Sequence, residues 1–210
     1  MYNKKPIFVA FEGIEGSGKS YHCRKLYNNL KKLKIPIIIT REPGGSPSAE
    51  KIRNIILTGS KNKFSKNTDT LLYLASRNEH IEKTINIALL NKKNIICDRF
   101  MDSTYAYQVY GKGVKESLVQ NVHKHILGKA KPDLTFLLTV NLKTAFSRIK
   151  KRKIINRYDK FSKKFYIKVQ KGFLSIAKKN KKKYFVIDNS SNSKKVESII
   201  FKKFVFKTLI

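Results

Sequence analysis

The chain has 210 residues, with 46 Lys and Arg against 14 Asp and Glu, a formal net charge of +32. That length can bury one sizeable core, and with no internal repeat and no Gly/Ser- or Pro-rich linker it is expected to form a single domain over 1–210. No apolar run approaches the about 20 residues of a membrane helix, the N-terminal run is too short for a secretory leader, and Cys23 and Cys97 lack metal or disulfide spacing, so a soluble, cytoplasmic protein is expected.

Apolar runs at residues 7–11, 35–40, 94–98, 134–140 and 184–188 have the length and the Ile, Val, Phe and Leu content of buried strands. Amphipathic stretches lie between them. From Phe161, apolar residues recur at Phe165, Val169, Phe173 and Ile176, which places a stripe on one helical face. Strand and helix in alternation predict an α/β fold, a doubly wound five-stranded parallel sheet with helices on both faces.

The first run leads into Gly13-Ile14-Glu15-Gly16-Ser17-Gly18-Lys19-Ser20, which satisfies G-x-x-x-x-G-K-[ST] between a strand and a helix. Glycines let the backbone fold around phosphate with its N–H groups turned inward at a helix start, so all eight residues are assigned to ATP. Lys19 is expected to bridge the β- and γ-phosphates and Ser20 to ligate Mg²⁺, with Asp98 at the end of the third strand as the second metal residue. A phosphate-binding loop names a donor and leaves the acceptor open.

Three further segments bear on the acceptor. Thr40-Arg41-Glu42-Pro43-Gly44-Gly45 follows the second strand, Ala75-Ser76-Arg77 lies in a long helix, and Asp98-Arg99-Phe100-Met101-Asp102-Ser103-Thr104-Tyr105-Ala106-Tyr107-Gln108 follows the third strand. Strand ends are where open α/β sheets bind ligands. Lys150-Lys151-Arg152-Lys153-Ile154-Ile155-Asn156-Arg157-Tyr158-Asp159 then forms a basic segment after the fourth strand.

In this order and spacing, the four motifs resemble the thymidylate kinase family, bacterial type, over residues 6–190. The resemblance implies a P-loop NTPase-type sheet with a short basic lid at about 148–160, a homodimer, Mg-ATP as donor and dTMP as acceptor. It implies that Arg99 and Arg53 hold the dTMP phosphate, for which a guanidinium fork is suited. Arg41 is either a phosphate contact or a fixer of its loop. Tyr73 and Arg77 are four apart on a helix; by resemblance the first stacks on thymine and the second hydrogen-bonds it. Thr104 contacts the base, Tyr107 crowds the place of a ribose 2′-hydroxyl, and Glu15 holds the 3′-hydroxyl. With no basic residue among the variable loop positions, the transition-state cation is expected from the lid, Arg152 first and Arg157 second.

Two positions depart from the family pattern: Thr139 stands where an Asp usually precedes the Val, and Asn156-Arg157-Tyr158-Asp159 replaces Asp-Arg-x-Glu. Both changes remove or shorten carboxylates near the metal and acceptor. The positive charge, scattered with Asn and Ile, reads as solvated surface and attraction for anionic substrates, without a specific nucleic-acid role. Another nucleotide or nucleoside kinase and a nucleic-acid-stimulated P-loop ATPase share the first motif.

Overall fold

A computed structural model describes residues 5–60, 62–152, 156–191 and 193–209. Five parallel strands, β1 (Phe8–Glu12), β2 (Ile37–Arg41), β3 (Asn94–Asp98), β4 (Leu134–Thr139) and β5 (Tyr184–Asp188), form one sheet in the order β2-β3-β1-β4-β5. β1 lies between β3 and β4, so the chain order reverses beside it, and the crevice at its carboxyl end is where such sheets take ligands.

Side chains of β1 alternate between the two faces. Val9 and Phe11 join Leu26 and Leu30 of α1 (Lys19–Lys32) and Val196, Ile200 and Phe204 of α9 (Ser193–Leu209), whereas Phe8 and Ala10 face Ile81, Ile85 and Phe100 on the other side. Helices cover both faces, as the alternation predicted. α2 (Pro47–Leu57) and α3 (Lys66–His80) flank the β2 loop; α3 passes through a π-helical turn (Ile81–Ile85) into α4 (Asn86–Leu90). After β3 a short α5 (Met101–Thr104) continues as a π-helical segment (Tyr105–Gly111), followed by α6 (Glu116–Ile126). α7 (Leu142–Lys150) leads to a 3-10 turn (Arg157–Lys160) and α8 (Lys163–Lys179).

β3 and β5 have the expected bounds, and β1, β2 and β4 differ from theirs by one or two residues. Ile35 lies outside β2 because its N–H caps α1 at Leu30 O, and Arg41 is inside because it pairs in register with Asp98. Ile7 precedes β1, its N–H taken by Asn94 Oδ1, while Val140 follows β4. In the expected stripe, Phe165, Val169 and Phe173 are buried on α8, but Phe161 precedes the helix, whose N-cap is Ser162. Of the expected lid, residues 153–155 lie outside the described residues. No helix among the described residues is long and apolar enough to cross a membrane. Both cysteines are buried and free.

Candidate active site

Residues 13–20 wrap the carboxyl end of β1 and enter α1. Gly13 has φ 138°, and a Cβ there would lie 2.2 Å from Leu138 O; at Gly16, φ 75°, it would lie 2.5 Å from Ala145 O. Glycine is required at both by backbone conformation and by the closeness of neighbouring chain. The loop is held from afar: Asn189 after β5 donates to Ser17 O at 2.8 Å, and Arg148 of α7 donates to Gly16 O at 3.1 Å. Lys19 folds its ammonium onto the loop itself, donating to Ile14 O at 2.8 Å and Ser17 Oγ at 3.3 Å. Burial, then the nearby Arg99 cation, lower its pKa to about 8. Two cations pressed together in this way are relieved by a polyanion.

Ser20 Oγ donates to Asp98 Oδ2 at the same end. These two hard oxygens fit Mg²⁺, which takes one or two protein oxygens and draws its other ligands from phosphate and water. Among the described residues no group of three or more His, Cys, Asp or Glu is gathered to hold a metal. Thr139, at the end of β4, donates its hydroxyl to Ile187 O on the paired strand β5 at 3.4 Å.

A cleft of about 800 Å³ opens from this loop and is lined further along by Arg41, Arg53, Arg99, Arg148, Arg152 and Asn156. At its inner end a smaller cavity of about 80 Å³ is lined by Tyr73, Thr104, Tyr107, Gln108 and Tyr158. Glu15, Glu42, Arg53, Arg99 and Asn156 line both, so they form the junction.

Arg99, held at φ 72°, spreads its guanidinium across that junction. It donates to Gly13 O at 2.8 Å, Glu15 Oε1 at 2.9 Å, Ser103 Oγ at 3.2 Å and Tyr107 Oη at 3.2 Å. Tyr107 also donates to Glu15 Oε2. Burial alone would raise the Glu15 carboxyl, but Arg99 and Lys19 outweigh it and hold the group below its usual value. Beneath, Glu12 accepts from the N–H groups of Phe100 and Ser103 and from Ser103 Oγ, which fixes the segment carrying Arg99 to β1.

The β2 loop closes the other wall. Arg53 lines the cleft but donates to Pro43 O, and Arg41, which also lines it, makes a two-point contact with Glu50 at 3.3 and 3.1 Å. Arg77 is 2% exposed and lines neither cavity. Its donors go to Glu42 Oε2 and Thr104 Oγ1, both at 2.7 Å, to His123 Nε2 at 2.8 Å and to Phe100 O at 3.0 Å. In this structure it reaches the cavity through Thr104, to whose hydroxyl it donates. Tyr73 does line the cavity, edge-on to Tyr158 at 6.0 Å.

In the lid, Arg152 faces the cleft and pairs with Asp159 at 3.1 Å. Arg157 does not: it is 1% exposed and pairs with Asp69 of α3. Asn156 and Asp159 cap each other's backbone in a capping box, so the shortened carboxylate is used to shape the turn. Arg148, Asn189 and Tyr158 were missed in the sequence. Arg148 carried a signal, since it precedes Arg152 by four on the helix entering the lid; Asn189 and Tyr158 carried none that separates them from surface and core residues.

The family model for thymidylate kinase matches residues 11–200. The thymidylate kinase of Onion yellows phytoplasma is 40% identical over 94% of this chain and 96% of its own, and that of Wolbachia pipientis wMel 42% identical over 81% and 85%. The crystal structure of thymidylate kinase from Ehrlichia chaffeensis superposes with a TM-score of 0.79 at 31% identity, covering 96% of this chain and 100% of its own. These matches show that this chain belongs to the thymidylate kinase family.

Proposed function

We propose that the cleft transfers the γ-phosphoryl group of ATP to dTMP, giving dTDP and ADP, with the loop 13–20 as donor site, the inner cavity as acceptor site and Arg99 between them. One observation carries this reading: the phosphate-binding loop and the aromatic cavity are continuous and share Glu15, Arg53 and Arg99. A donor phosphate on Lys19 and an acceptor phosphate on Arg99 and Arg53 would meet within one cation-lined volume.

The acceptor phosphate is already ionised near neutral pH and needs no general base, so these residues act by positioning and charge. Lys19 exchanges its contacts with Ile14 O and Ser17 Oγ for phosphate oxygens. Arg99 aligns the acceptor and holds Glu15 and Tyr107 beside the sugar. Tyr73 offers a ring to the base, with Thr104 held toward it by Arg77. Arg152 supplies a guanidinium at the mouth. Ser20 and Asp98 would hold Mg²⁺, which when bound would supply positive charge to offset that of the donor phosphates.

In this reading the whole chain is one kinase domain, a cytoplasmic homodimer as the family resemblance implies, and its charge serves anionic substrates without specific nucleic-acid binding. Coupled-assay turnover on dTMP, dUMP, AMP and thymidine tests it, together with sedimentation for the dimer. Highest kcat/KM on dTMP is the expected result; preference for another acceptor, or hydrolysis stimulated by DNA or RNA, would overturn it.

A further inference from the structure

Asp69, in the first turn of α3, is fully buried and lines neither cavity of the cleft. A carboxylate in that position requires partners. Arg157 donates to Oδ1; Lys112 Nζ and Tyr158 Oη donate to Oδ2 at 2.6 and 2.7 Å. Burial pushes the Asp69 carboxyl up, but Lys112, then Arg157 and Tyr158, outweigh it and keep the group ionised. Two of these partners belong to one turn, residues 157–160, which Asp69 thereby ties to α3.

That turn reaches both ends of the cleft. Its Tyr158 lines the acceptor cavity and meets Tyr107 and Tyr73 edge-on at 5.7 and 6.0 Å. Its Asp159, locked by the capping box with Asn156, accepts from Arg152 at 3.1 Å. Asp69 therefore holds, through Arg157, the same turn whose Asp159 accepts from Arg152.

We propose that Asp69 is a positioning residue for phosphoryl transfer: by clamping Arg157 and Tyr158 it sets the 157–160 turn, and with it the Asp159 carboxylate that orients Arg152. The proposal rests on the reading of the cleft given above. It differs from a clamp that merely holds the fold, because a residue acting through Arg152 has nothing left to contribute once Arg152 is gone.

The test uses the full chain as Asp69→Asn, Arg152→Ala and the double variant, with steady-state kinetics on ATP and dTMP and thermal unfolding to fix the folded fraction. Asp69→Asn is expected to lower kcat about tenfold per folded molecule with the ATP KM little changed, and the double variant to be no slower than Arg152→Ala. Arg157→Gln breaks the same clamp while leaving Lys112 on Asp69, so it decides the matter if Asp69→Asn does not fold; the same kcat loss is expected. Losses that multiply in the double variant, or wild-type kcat in folded Asp69→Asn or Arg157→Gln, would overturn the role of Asp69 and leave the kinase reading standing. A wild-type chain inactive on dTMP would sink both.

Discussion

The two ends of the cleft are built in opposite ways. The donor end is one contiguous loop whose N–H groups, glycine conformations and Lys19 come from residues 13–20, with Arg148 and Asn189 as distant struts. At the acceptor end, Glu15 of the loop is joined by Glu42, Arg53, Tyr73 and the 98–108 segment with Arg99 and Tyr107, and buried charges face one another among them. Function at the first end can be removed without touching the core. At the second, function and stability share the same side chains.

The largest effect expected is at Lys19. Lys19→Ala should lower kcat/KM by roughly 10³-fold while the unfolding midpoint stays put, because its partners are carbonyl and hydroxyl groups of its own loop. A folded variant with wild-type turnover would break the assignment of the donor end.

Arg152 stands at the seam between the two ends. Arg152→Ala is expected to cost about 10²-fold in kcat with little change in ATP affinity, whereas Lys151→Ala, at an exposed neighbour, should cost far less. Equal small losses at both positions would mean a diffuse basic lid with no dedicated arginine.

Tyr107 sharpens the contrast at the acceptor end. Its hydroxyl contacts Glu15 and Arg99, but its ring packs against Phe173 at 6.0 Å and Phe165 at 6.1 Å. Tyr107→Ala should cost about 3–5 kcal/mol of stability and cut the preference for the deoxy over the ribo form of thymidine monophosphate about tenfold. Tyr107→Phe, which keeps the ring, should retain most of that preference. The ratio of kcat/KM on the two sugars, with denaturant midpoints, separates the outcomes; an unchanged ratio in the Ala variant would leave the ring a packing role alone.

The smallest effect concerns pH. His123 accepts from Arg77, and burial, then the Arg77 cation, lower its pKa from 6.5 to about 3. Between those values the unfolded chain binds the proton and the folded one does not, so stability is fully present above pH 6.5 and is lost as pH falls toward 3. His123→Gln should remove about 1–2 kcal/mol of the decline between pH 6.5 and 5, read as a flatter dependence of the unfolding midpoint on pH. A slope identical to wild type would show that the imidazole titrates normally.

The sequence by itself determined the sheet and the loop at 13–20, because both rest on local signals: apolar runs of strand length, and glycines spaced for a loop between strand and helix. The parallel order followed from alternation, and the motif residues named by resemblance mostly line the cleft. Strand ends shifted where hydrogen-bond register decided them, as at Ile35 and Arg41. Tertiary structure alone decided which basic residues face the cleft. Arg77, Arg152 and Arg157 have the same side chain, and no local pattern tells their surroundings apart, yet Arg152 opens to the cleft while Arg77 and Arg157 are paired with the buried carboxylates of Glu42 and Asp69. The reason is energetic: a buried carboxylate must find a cation, and which arginine it takes depends on packing between segments 35 and 88 residues apart, a distance over which no local pattern carries information.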